Sequence, residues 1–114
     1  MIIVTTNELP GYQIGHVFGE VFGLTVRSRH VGSNIGAGLK SLAGGELKGI
    51  TQLLHECRQE ALSRLSAEAQ AKGANAVVAF RFETTEYASG GGVEVCAYGT
   101  AVGVHQLQRP GAPA

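Results

Sequence analysis

Three stretches of this chain, 12–26, 76–80 and 97–104, carry apolar or glycine residues on both alternating sets of positions. A strand with one solvated face alternates apolar and polar residues, so such runs predict strands covered on both faces. Only one segment has the apolar periodicity of a long helix. Leu54, Cys57, Ala61, Leu65 and Ala69 recur at three- and four-residue steps within 51–72, with Leu62 beside them. One helix covers one face of a three- or four-stranded sheet. The second face needs another cover, and a further copy of the chain is the most economical one.

The remaining punctuation fixes the element order. Ile2 to Thr5 is a short β-branched run, stopped by Asn7 and Pro10-Gly11. Tyr12 to Val26 reads as one long strand, with Gly15, Gly19 and Gly23 on the same alternating set of positions. Those glycines either admit a helix close to the sheet or mark bulges, and the sequence leaves both open. Glu60–Arg64 and Glu68–Lys72 are favourable i,i+4 pairs on the wet side of the helix, and Gly73 is placed to end it. Strands over 76–85 and 93–106 are joined by a turn at Ser89-Gly90-Gly91-Gly92. The class is α+β in the order β-β-α-β-β, an antiparallel-rich sheet with one main helix on one face. Residues 1–108 form a single domain, and 109–114 a loose tail.

Composition narrows function by exclusion. Nine Lys and Arg balance nine acidic residues, so no basic field gathers nucleic acid or an anionic membrane. All nine acids are Glu. Without Asp there is no Ser-His-Asp triad, and no Gly-x-Ser-x-Gly elbow is present. No apolar run is long enough to span a bilayer, and no signal peptide opens the chain, which makes the cytoplasm the expected compartment. Gly36-Ala37-Gly38-Leu39-Lys40-Ser41 fails the phosphate-loop pattern, because Leu39 separates the glycine from Lys40.

Metal ligands are sparse. His55 and Cys57 point about 200° apart on a helix and cannot chelate one ion together. Cys57 and Cys96 are both expected in the core, and His16, His30 and His105 are scattered. One residue per copy can nevertheless converge in an assembly, which leaves a metal ion as a candidate cofactor.

The segments Ala37-Gly38-Leu39-Lys40-Ser41-Leu42-Ala43-Gly44-Gly45-Glu46, Arg58-Gln59-Glu60-Ala61-Leu62, Lys72-Gly73-Ala74-Asn75-Ala76-Val77-Val78 and Ala97-Tyr98-Gly99-Thr100-Ala101-Val102 together resemble the YbjQ-like family, known as heavy-metal-binding. Gly11-Tyr12 joins the set, and the resemblance spans residues 2–108. It implies a dodecin-like α+β subunit assembled as a ring, usually a pentamer. The resulting expectation is a non-enzymatic homo-oligomer binding a heavy metal or small ligand at its interfaces. Its rivals are a scaffold with no small ligand, and an enzyme acting on a small anion with Arg27 or Lys40 as electrophilic stabiliser. Arg27, His30, Lys40, Ser41, Gly44, Gly45 and Glu46 are the candidate ligand residues, because they lie in or beside the Gly-rich connection that packing least explains.

Overall fold

The structure, a computed structural model, describes residues 1–28, 48–87 and 91–108. Strands β1 (Ile2–Ile3) and β2 (Tyr12–Ser28) precede helix α1 (Lys48–Ala71), and β3 (Ala76–Tyr87) and β4 (Gly92–Gln106) follow it. They form one four-stranded sheet in the order β1-β3-β4-β2. β4 pairs antiparallel with both β2 and β3, while β1 runs parallel to β3. The β-β-α-β-β order expected from the sequence is therefore the observed one. The hairpin turn expected at 89–92 and the tail lie largely outside the described residues.

Helix α1 forms where the apolar stripe runs, and Cys57, Ala61, Leu65 and Ala69 are fully buried under it. Burying Leu65 alone is worth about 2 kcal/mol. The other three are small, which lets the helix axis come close to the sheet. Gly73 ends the helix at φ +90°, with its N–H donating to the Gln70 carbonyl and the Ala74 N–H to the Ala69 carbonyl. This is the two-bond cap of a left-handed terminating residue.

The strand glycines resolve into both proposed roles. A Cβ at Gly23 would overlap the Ala61 carbonyl and stand 2.6 Å from the Leu65 nitrogen, so this glycine admits the helix. Two register shifts against β4, between Ile14 and His16 and between Val17 and Gly19, add one extra residue each to β2. Gly19 has φ +103° beside the second bulge, and a Cβ there would meet nothing within 4 Å. Gly19 thus serves the bulge through its backbone conformation, and it admits no close neighbour among the described residues.

Two cores sit on opposite faces. Val21, Val77, Phe80, Val93, Val95, Ala97 and Ala101 pack under α1. On the far face, Leu9 covers Ala76, Val78, Val102 and Val104, with Ile2, Val4 and Tyr12 beside it. The apolar runs of β3 and β4 are therefore buried on both faces at this end. Asn75 secures the arrangement: its Nδ2 donates to the Val104 carbonyl and its Oδ1 accepts from the Val104 N–H, both at 2.8 Å.

Charged residues of α1 and of the cap that follows it close the outer edge of β2. Lys72 Nζ donates to the Glu20 carbonyl, Glu68 Oε2 accepts from the Phe22 N–H, and Arg64 Nη1 donates to the Leu24 carbonyl. The expected pairs Glu60–Arg64 and Glu68–Lys72 both form. Arg64, Glu68 and Lys72 thus occupy part of the hydrogen-bonding row that an edge strand otherwise offers to any passing strand.

Candidate functional site

The N-terminal segment covers only one end of the far face. β2 is about 55 Å long and α1 about 36 Å, so the sheet outruns its covers. Along the uncovered end, the register aligns Phe22 with Tyr98 and Arg81, Leu24 with Cys96 and Glu83, and Val26 with Glu94 and Thr85. Phe22, Leu24 and Val26 remain 48%, 46% and 53% exposed. Three large apolar side chains in one row, half in water, mark a contact surface.

An open depression of about 470 Å³ lies beside this row, lined by Glu20, Phe22, Ala79, Glu83, Cys96 and Tyr98 among others. It is produced by a bulge. β3 uses three steps from Val78 to Arg81 where β4 uses two from Thr100 to Tyr98. Ala79, at φ 53°, takes the left-handed conformation that alanine adopts at a cost. Its N–H donates to the Thr6 carbonyl and that of Phe80 to the Val4 carbonyl, so the N-terminal segment braces the bulge.

The depression has a negative field. Tyr98 donates its hydroxyl to Glu83 Oε1 at 3.2 Å. Burial, then this hydrogen bond and the Glu83 charge, push the Tyr98 phenol up. Burial pushes the Cys96 thiol up, and Glu94, Glu83 and Glu20 add to the shift. At neutral pH the metal-free Cys96 is therefore a protonated thiol and a poor nucleophile. Among the described residues no three His, Cys or Glu side chains stand where one cation could bind them together.

Comparison with known proteins fits this architecture. Residues 1–105 match the YbjQ family, described as "Putative heavy-metal-binding". The chain belongs to the YbjQ family. A UPF0145 protein of Mycobacteroides abscessus is 77% identical over 95% of this chain and all of its own length. One from Streptomyces coelicolor is 65% identical over 90% of this chain and 95% of its own. A solved DUF74-family structure from Pediococcus pentosaceus superposes with a TM-score of 0.65 at 17% identity, covering 92% of this chain and 98% of that one, which supports the fold.

For this YbjQ-family chain, only one expected ligand residue falls among those described. Arg27, near the end of β2, places Nη1 3.1 Å from Glu56 Oε2 and Nη2 2.5 Å from Glu60 Oε2. Its charge is engaged by the helix. His30, Lys40, Ser41, Gly44, Gly45 and Glu46 lie outside the described residues. Cys57 is buried as expected. Cys96 is not in the core but half-buried in the depression, because the Leu9 cover stops short of it. Arg81 and Glu83 share the far face without pairing. Arg81 Nη1 donates instead to the Thr5 and Phe80 carbonyls. Sequence reasoning names none of Glu20, Phe22, Glu83 and Tyr98 as ligand residues, since only the sheet register and the bulge unite them.

Proposed function

We propose that the protein is a non-enzymatic subunit of a closed homo-oligomer, five copies in a ring, that binds a metal ion or small ligand where copies meet. The observation behind this reading is the row Phe22, Leu24 and Val26 on an uncovered sheet face. The family match supports it, since the family's description names heavy metals. One copy supplies Cys96 and the carboxylates of Glu20 and Glu83 at the depression. A metal centre therefore requires ligands from a second copy, or from the connection carrying His30 and Glu46. The free thiols of Cys57 and Cys96 fit a reducing compartment, the cytoplasm.

The enzymatic alternative loses one of its two electrophiles, because Arg27 is held by Glu56 and Glu60. Native mass spectrometry of protein purified without a His-tag or chelator tests the reading. A five-subunit mass with an added metal or metabolite is the expected result. A bare pentamer removes the ligand and leaves a scaffold. A bare monomer overturns the proposal.

A further inference from the structure

The chain is neutral overall, yet charge is left uncompensated at two places on opposite sides of the sheet. Of the arginine and lysine side chains described, four are engaged. Arg27 meets Glu56 and Glu60, and Arg64 meets Glu60 and the Leu24 carbonyl. Lys72 meets Glu68 and the Glu20 carbonyl, and Arg81 meets the Thr5 carbonyl. Arg58 differs. Its guanidinium lies 5.0 Å from the centroid of the Phe82 ring, and no oxygen partners it among the described residues. On the far face, Glu20, Glu83 and Glu94 have no cationic partner among the described residues, and Glu83 accepts only from Tyr98.

The surroundings of the two patches match as well. α1 packs over β2 and β4 and barely touches β3, so a groove stays open between helix and β3. This groove, about 290 Å³, is lined by Thr51, Leu54, His55, Arg58 and Thr84. It offers an apolar wall at Leu54 beside the Arg58 guanidinium. The far face offers protruding Phe22 and Leu24 beside the carboxylate-lined depression. Within one copy the sheet separates the two patches, so they can meet only between copies. A contact joining two different patches is heterologous, the kind that closes into a ring.

We infer that Arg58 of one copy seats in the depression lined by Glu20 and Glu83 of the next, with Phe22 and Leu24 of that copy against Leu54. This rests on the reading above that copies associate, and names the surfaces that do so. The planar guanidinium suits two flanking carboxylates and the aromatic walls of Phe22 and Tyr98. The depression is then completed by a neighbouring subunit, and any ligand there sits beside the Arg58 charge.

Charge reversal tests the inference, with assembly followed by native mass spectrometry and sedimentation velocity across a dilution series. Arg58→Glu and Glu83→Arg should each raise the concentration of half-dissociation at least tenfold. The double reversal should recover at least half of that loss on a logarithmic scale. Arg58→Gln, which keeps the stem over Phe82, should weaken assembly in the same direction, with far-UV circular dichroism unchanged. Assembly unaltered in Arg58→Glu and Arg58→Gln overturns the inference while leaving the oligomer intact. Single reversals that dissociate without recovery in the double variant overturn the pairing. A wild-type monomer at all concentrations would sink the oligomeric reading itself.

Discussion

Gly23 of β2 and Ala61 of α1 are in backbone contact: the space a side chain would fill on Gly23 is taken by the Ala61 carbonyl and the Leu65 nitrogen. No rotamer relieves such an overlap, because both neighbours are main chain within a helix. Gly23→Ala should destabilise the fold by about 3 kcal/mol or prevent folding. Gly19→Ala meets no atom and incurs only the left-handed penalty, about 1–2 kcal/mol. Urea unfolding of the two variants checks the order. Equal losses would show that α1 and β2 are not in backbone contact at Gly23.

Asn75 acts as a substitute strand residue, exchanging two hydrogen bonds with the Val104 main chain. Asn75→Ala leaves both Val104 groups without their partners, at a cost of about 2–3 kcal/mol. Asn75→Asp keeps the acceptor for the Val104 N–H but places a carboxylate oxygen against the Val104 carbonyl. It should recover only part of the loss, and more below pH 4, where the acid can donate. Thermal melts at pH 7 and pH 4 distinguish the variants.

The Glu60 carboxyl is held below its ordinary range, chiefly by the hydrogen bond from Arg27, with Arg64 adding to it against the effect of burial. A carboxylate depressed in the folded state contributes stability that is present above its unfolded value, near 4.3, and lost as pH falls through the folded value. The wild-type melting temperature should therefore fall as pH drops below about 4. In Glu60→Gln that part of the decline should be missing, so the two curves converge toward acid. Parallel curves from pH 7 to pH 2 would refute the assignment.

Cys57 and Cys96 should separate in thiol labelling. Cys57 is fully buried beneath α1 and should react only on unfolding. Cys96 should react in the folded monomer, slowly at pH 7 and faster above pH 9, because its thiol is pushed up. If copies pack on the far face, dilution to monomers should accelerate Cys96 labelling at least fivefold and leave Cys57 unchanged. Mass spectrometry of the quenched reactions reports both.

Much of the fold is legible in the sequence because it rests on periodicity. The stripe from Cys57 to Ala69 allows one docking of the helix, and Ala76–Val78 has no polar position to turn toward water. The parts that the sequence does not display depend on contacts between distant segments. Leu9 lies in a stretch that reads as a turn, yet it forms the lid of the second core. Ala79 gives no sign of its left-handed backbone, since alanine is common in any strand. Val102 and Cys96 share one strand and one parity, but the Leu9 lid covers the first and not the second. The depression draws on residues from three strands, so no local motif announces it.

The closure of the β2 edge by Arg64, Glu68 and Lys72 has a temporal side. These groups ride on the helix, so a sheet that forms before α1 docks has an unguarded outer strand, and during that interval two nascent chains can zip together. Refolding yield should accordingly depend on how fast residues 48–71 become helical. A substitution slowing that step, such as Ala67→Gly on the exposed side of α1, would lower the yield at high protein concentration out of proportion to its effect on equilibrium stability. The charges that keep the finished subunit from uncontrolled polymerisation protect it only once the helix has arrived.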